Sequence, residues 1–217
     1  MTSVPNLLKP VEKGSDPVCF LGVLISGRGS NLQALLDAIV DGRVRARVAV
    51  VISNRADAPG LQRAAKAGIE TLVLPHRDAP SRAAYDEMLV SALQSRGVTL
   101  VCLAGFMRLL GPRFCDAFPQ AILNVHPSLL PAFPGVDAQR QALEAGVRVS
   151  GATVHFVTPA LDAGPVIVQA AVPVHHDDTV ASLSTRILSE EHRILPQAVQ
   201  WVIEGRCHLE NGRVVVR

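Results

Sequence analysis

Asn124 and His126 stand two residues apart in Ala121-Ile-Leu-Asn-Val-His126, an apolar run that reads as a β-strand. Side chains alternate across a strand, so both point to one face and Val125 to the other. An amide and an imidazole side by side offer hydrogen-bond donors and a group that exchanges protons near neutral pH. Pro127 cannot extend a central strand, which puts the pair at a carboxyl end, where open α/β sheets carry their chemistry. The next segment, Pro127-Ser-Leu-Leu-Pro-Ala-Phe-Pro134, is apolar without periodicity, carries three prolines and ends at Gly135. It reads as a stiff loop shaped around something. A histidine at a strand end is often only a satisfied structural residue. The neighbouring amide and the stiff loop favour a site, without naming a reaction.

Two further stretches bear on that site. Leu161-Asp-Ala-Gly-Pro165 places a carboxylate in a loop, where aspartate beside glycine is ordinarily a turn residue. Folded back over His126, it would favour the charged form of an imidazole. Spacing alone does not establish that contact. Ser26-Gly-Arg-Gly-Ser-Asn31 follows a buried strand and opens a helix. Its glycines permit close backbone approach, and the free N–H groups of a first helical turn attract an anion. Ser30 and Asn31 either cap that helix or hold phosphate oxygens. The loop lacks the third glycine of a dinucleotide fingerprint and the Gly-Lys-Ser/Thr ending of a P-loop.

The elements that must position these groups follow a regular rhythm. Strands are expected over 18–25, 47–52, 71–74, 99–104 and 121–126, alternating with helices over 31–40, 59–67, 81–96 and 112–117. That alternation implies an α/β fold with an open, doubly wound, mostly parallel, Rossmann-like sheet. After Pro127 the rhythm changes. A helix over 137–145 precedes two strands, 151–157 and 165–174, joined too closely for a crossover and therefore antiparallel. A long C-terminal helix is expected over 180–203, with Leu183, Ile187, Ile194, Leu195, Val199 and Val202 on one face and a kink at Pro196. A hairpin around Asn211-Gly212 closes the chain. Residues 1–17 read as a flexible leader, and 18–217 as one domain with two lobes, 18–126 and 127–217.

Composition narrows the function classes. Of 217 residues, 48% are hydrophobic and 4% aromatic, which supplies a large core suited to helices on a buried sheet. A formal net charge of +2 with interleaved signs gives no basic stripe for nucleic acid. The apolar run 18–25 is too short to span a bilayer. Cys19, Cys102, Cys115 and Cys207 show no metal or redox spacing and point to reduced thiols in a cytoplasmic protein. His175-His176-Asp177-Asp178 resembles a ligand run, but sequence neighbours rarely converge on one ion, so no metal is expected. His76, His155, His192 and His208 suggest no role.

Across residues 20–201 the chain resembles the phosphoribosylglycinamide formyltransferase family in the order and spacing of several segments. They are Ile25-Ser-Gly-Arg-Gly-Ser-Asn-Leu-Gln33, Ser53-Asn54, Ala104-Gly-Phe-Met-Arg-Leu-Leu110, Asn124-Val-His-Pro-Ser-Leu-Leu-Pro131, Gly151-Ala-Thr-Val-His-Phe-Val157 and Leu161-Asp-Ala-Gly-Pro-Val-Ile167. The resemblance implies formyl transfer from 10-formyltetrahydrofolate to glycinamide ribonucleotide in de novo purine synthesis. It implies Asn124, His126 and Asp162 as catalytic residues, and Gly29, Ser30 and Asn31 around the acceptor's phosphate. Glu191, or its neighbour Glu190, would meet the acceptor amine. Folate contacts would fall on Arg82, Met107, Arg108, Leu109, Leu110 and Asn124, and on Thr158, Pro159, Ala160, Leu161 and Asp162. The partners implied are small molecules, not nucleic acid or membrane, with monomer and homodimer both open. Ala163, where glycine is frequent, and Val136-Asp-Ala-Gln139, where a histidine is common, depart from the family pattern.

Two related enzymes compete. Methionyl-tRNA formyltransferase would need a further basic domain, and formyltetrahydrofolate hydrolase an N-terminal regulatory one. Sugar-amine formyltransferases, a non-catalytic folate or nucleotide binding module and a nicotinamide-dependent oxidoreductase are the remaining alternatives.

Overall fold

The computed structural model describes residues 19–217. The expected leader and Val18 lie outside the described residues. The first half alternates β1 (Cys19–Ile25), α1 (Ser30–Val40), β2 (Ala46–Ser53), α2 (Gly60–Lys66), β3 (Thr71–Val73), α3 (Arg82–Gln94), β4 (Leu100–Leu103), α4 (Pro112–Ala117) and β5 (Ile122–His126). The second half adds α5 (Ala138–Glu144), β6 (Val149–Phe156), β7 (Val166–Pro173), α6 (Val180–Ile203), β8 (Cys207–Glu210) and β9 (Arg213–Val216). Strands order as β3-β2-β1-β4-β5-β6-β7, with β8 and β9 a separate pair. The first five run parallel, while β6 is antiparallel to both β5 and β7. The doubly wound sheet and its antiparallel extension match the sequence expectation.

Period-two alternation explains why the strands read as unbroken apolar runs. Along β1, Leu21, Val23 and Ile25 enter one core while Leu24 enters the other. Val51 and Cys102 belong to the first core, and Val50, Ile52, Val101 and Leu103 to the second. A sheet covered by helices on both faces needs apolar side chains on both. The first core includes α1 and α6 residues, the second α3 and α4 residues.

Helix α6 buries Leu183, Ile187, Ile194, Leu195, Val199 and Val202, the face expected from their spacing. Burying each large apolar side chain is worth about 1.5–3 kcal/mol, so this stripe fixes the helix firmly. The helix continues through Pro196 as one element. Its start is capped by Thr179, whose hydroxyl accepts from Ser182 N–H while Ser182 Oγ accepts from Thr179 N–H.

Where boundaries differ, local chemistry accounts for it. Ser81 lies before α3 as its cap, accepting from Ala84 N–H, and Pro59 and Asp137 likewise stand just outside α2 and α5. A 3₁₀ turn at His76–Asp78 was not foreseen. The final hairpin turns at Asn211 (φ 51°) and Gly212 (φ 76°), two left-handed residues as a type I′ turn requires.

Candidate active site

The strand order reverses between β1 and β4, the switch point where open α/β sheets bind ligands. Beyond their carboxyl ends, Ser26 N–H donates to Gly105 O (3.0 Å). Ser26 Oγ donates to Asn54 Oδ1 (2.6 Å) and accepts from Met107 N–H (2.8 Å). One strand further, β5 ends in Asn124 and His126, and register continues the site onto β6. Asn124 pairs with His155, and His126 with Thr153. Directly opposed residues share a face, so four polar side chains line one patch of sheet.

Asp162 closes on that patch from the loop between β6 and β7. Its Oδ2 lies 3.4 Å from His126 Nδ1 and accepts from Gly135 N–H at 2.8 Å, while Oδ1 lies 3.8 Å from His155 Nε2. The His126 ring is buried, and its Nε2 faces Phe133 O at 2.9 Å. Both ring nitrogens therefore look at acceptor oxygens. Phe133, Asp137 and Asp162 all have positive φ (53°, 56° and 47°), and Gly135 joins them at 80°. Of these, Phe133 and Asp162 meet the His126 ring and Gly135 meets Asp162, so left-handed backbone is concentrated around one imidazole.

The proline-rich loop between them is held from behind. Thr153 Oγ1 donates to Ser128 O (2.6 Å) and accepts from Leu130 N–H (3.0 Å) and Gln169 Nε2 (2.9 Å).

His155 belongs to this cluster, although the sequence assigned it nothing. It is 2% exposed, and its Nδ1 meets Phe156 O at 2.9 Å. Burial pushes its pKa down; the Phe156 carbonyl and Asp162 pull upward, and His126 pulls down. A neutral ring with Nδ1–H on the carbonyl leaves Nε2 as acceptor for Asn124 Nδ2, 3.1 Å away. That fixes which end of the Asn124 amide faces inward and leaves its second N–H free. A signal was present: Thr153-x-His155 is a polar pair at strand spacing in an otherwise apolar run, mirroring Asn124-x-His126.

The glycine-rich loop behaves differently from one expectation. Gly29 (φ 71°), rather than Ser30 or Asn31, stands at the N-cap of α1, and no side chain caps the helix. The first-turn N–H groups are thus left for a ligand. The Asn31 amide donates to Glu191 Oε2 at 2.6 Å, and its own Oδ1 is buried without a partner among the described residues. Glu191 follows Ile187 by four positions and precedes Ile194 by three, which places it in the buried stripe of α6. Burial raises its pKa, while Asn31 and Arg28 lower it. Glu190 instead pairs at the surface with Arg193 (2.7 Å), so Glu191 is the inward-facing acid. Gly29 also packs against α2: a Cβ on Gly60 would lie 3.1 Å from Gly29 Cα and from Gly27 O.

Exposed apolar side chains adjoin the polar patch. Met107, Leu109 and Leu161 are 70%, 52% and 49% exposed, and Arg108 is exposed between the first two. Leu110 differs: its side chain is buried, and its carbonyl accepts from Arg82 Nη2 at 2.8 Å. Thr158, Pro159 and Ala160 lead from the end of β6 to Leu161 and Asp162, with Pro159 and Ala160 exposed. A cavity of about 830 Å³ lies elsewhere, at the amino ends of β1 and β2 around Phe20 and Ala46.

Among the described residues, no three His, Cys, Asp or Glu side chains converge as metal ligands. In the His175–Asp178 run, Asp178 is taken by Arg186 (2.7 Å), while His176 is solvent-exposed. No helix of the described residues is long and apolar enough to cross a membrane.

Comparison with known proteins places the chain in a family. The formyl transferase family model matches residues 21–199. Phosphoribosylglycinamide formyltransferase of Escherichia coli (strain K12) is 47% identical over 190 residues, covering 88% of this chain and 90% of that protein. The crystal structure of glycinamide ribonucleotide transformylase 1 from Symbiobacterium toebii superposes with a TM-score of 0.91 at 57% identity, over 93% of this chain and 95% of that one. The trifunctional purine biosynthetic protein adenosine-3 of Bos taurus is 49% identical over 195 residues, and there the chain spans only 19% of its relative's length. The chain belongs to the formyl transferase family and, within it, to the phosphoribosylglycinamide formyltransferases.

Proposed function

We propose that this protein transfers the formyl group of 10-formyltetrahydrofolate to the amine of glycinamide ribonucleotide, in de novo purine synthesis in the cytoplasm. The observation that carries the mechanism is the meeting of Asn124, His126 and Asp162 at one strand end, with Asp162 Oδ2 3.4 Å from His126 Nδ1. The acceptor amine attacks the formyl carbon, and the carbonyl oxygen becomes an oxyanion. The free N–H of Asn124 donates to it, and so does His126 Nε2–H, which exchanges Phe133 O for the oxyanion while Nδ1–H stays on Asp162. Asp162 stabilises the imidazolium and orients the ring. As the intermediate collapses, the bond from formyl carbon to folate nitrogen breaks. The proton lost by the amine reaches that nitrogen through His126 or water. No side chain forms a covalent bond, and no metal takes part.

Binding assignments follow the same logic. The uncapped first turn at Gly29, Ser30 and Asn31 receives the acceptor's phosphate through backbone N–H groups. Glu191, held by Asn31, meets the acceptor's amine-bearing end. The exposed apolar rim of Met107, Leu109 and Leu161 suits a flat ring, and Arg82 and Arg108 supply positive charge for the carboxylates of its tail. Thr158, Pro159 and Ala160 shape the loop side of that cleft, and Leu110 contributes through its backbone.

The test offers the purified protein 10-formyltetrahydrofolate with glycinamide ribonucleotide and, in parallel, with an amino-sugar nucleotide. Formylated glycinamide ribonucleotide is the expected product. Product from the amino sugar alone would move the acceptor assignment and keep the chemistry.

A further inference from the structure

The segment from Gly105 to Gly111 has no regular secondary structure, yet it must present Met107, Arg108 and Leu109 in a fixed shape. It is pinned at both ends. At its start, Ser26 Oγ accepts from Met107 N–H, and Ser26 N–H donates to Gly105 O. At its end, two residues one turn apart on α3 hold it. Arg82 Nη2 donates to Leu110 O (2.8 Å), and Asp86 Oδ2 accepts from Gly111 N–H (2.8 Å). Between the pins, Arg108 and Leu109 make no hydrogen bond to any described residue, so their backbone groups remain for a ligand.

Asp86 is an unusual residue for this position. It is 1% exposed, its Oδ1 is buried without a partner among the described residues, and burial pushes its carboxyl above the ordinary carboxylate range against the pull of Gly111 N–H and Arg82. Placing a carboxylate there is costly unless its bond matters. The contact is also tight: any Cβ at position 111 would collide with Asp86 Oδ2. Gly111 is the N-cap of α4 and has no side chain to bond that helix, so an acid from another helix fastens the backbone where the segment ends.

We propose that Asp86 is a positioning residue for the formyl donor, holding the Met107–Gly111 backbone in the shape that receives the folate ring. It acts through that backbone and touches neither substrate. This rests on the folate reading of the cleft.

The experiment compares wild type, Asp86→Ala, Asp86→Asn and Gly111→Ala by direct titration with tetrahydrofolate and by KM for donor and acceptor, with thermal midpoints recorded. Loss of a hydrogen bond to a charged group predicts about tenfold weaker tetrahydrofolate binding and about tenfold higher donor KM in Asp86→Ala, with acceptor KM within about twofold. Asp86→Asn keeps an oxygen for Gly111 N–H and restores donor affinity to within about threefold. Gly111→Ala breaks the same contact from the other side. Its effect should largely vanish in an Asp86→Ala background, and it carries the test should Asp86→Ala not fold. Unchanged tetrahydrofolate affinity in folded Asp86→Ala or Gly111→Ala, or equal rises in both KM values, overturns the proposal and leaves the functional reading intact. Wild-type protein that binds no tetrahydrofolate removes both.

Discussion

Asn124, His126 and His155 reach the site from adjacent strands, whereas Asp162 reaches it from a loop. The first three are placed by the β5–β6 ladder, in which Asn124 opposes His155. Moving any of them means breaking sheet pairing inside the apolar core. Asp162 is held by a hydrogen bond from Gly135 N–H, by its contact with His126 and by a left-handed backbone at φ 47°. The donors are thus built into the scaffold, and the charge that completes them is brought by the least restrained member. A site divided this way keeps its geometry when the carboxylate is lost, so the two halves separate by mutation.

The largest effect is expected from that carboxylate and its partner. Asp162→Ala and His126→Ala should each lower kcat by about 10²–10⁴, the range of a lost proton-transfer group, with a preserved thermal midpoint. Because the two act as a unit, the double variant should be barely slower than either single one in single-turnover measurements. Multiplicative losses would break the pairing of loop and strand.

Asn124→Ala comes next, at about 10²–10³ in kcat, the usual loss for one oxyanion donor. Little change would show that the strand face is only a support. His155→Ala should cost about tenfold, since it orients Asn124 without meeting substrate, and almost nothing further in an Asn124→Ala background.

The smallest effect is on stability against pH. The buried His155 has a folded pKa below the free value of 6.5. As pH falls through 6.5 the unfolded chain takes up a proton that the native ring does not, so its contribution is complete above that value and lost as pH falls towards the folded one. His76 and His192 shift in the same direction, so the substitution must be specific. Between about pH 7 and 5, the thermal midpoint of His155→Asn should fall less steeply than that of wild type. Parallel curves would mean that His155 titrates alike in both states.

The same division explains what the sequence disclosed. Asn124 and His126 were legible because strand alternation and a following proline are local facts. So was the inward face of α6, although choosing Glu191 over Glu190 needed its phase against Ile187 and Ile194. The approach of Asp162 to His126 was not legible, because nothing within residues 158–164 says where the loop folds. His155 was passed over because its partner lies on another strand, and register is a tertiary property. Asp86 reads as an ordinary polar helix residue until Gly111 is set against it. The turn of Asn31 towards Glu191 joins residues 160 positions apart, a pairing no local pattern announces.

The proposed phosphate cradle has a floor as well as walls. Gly60 presses its bare backbone beneath Gly27 and Gly29, so closely that a methyl group there would have to push both of them and the Ile25 side chain aside. Residue 60 lies under the turn and not in it, yet a side chain there would lift the turn above it and misaim the N–H groups proposed to bind phosphate. The proposed grip on the acceptor is therefore governed partly from underneath, by a position that a map of ligand contacts would omit.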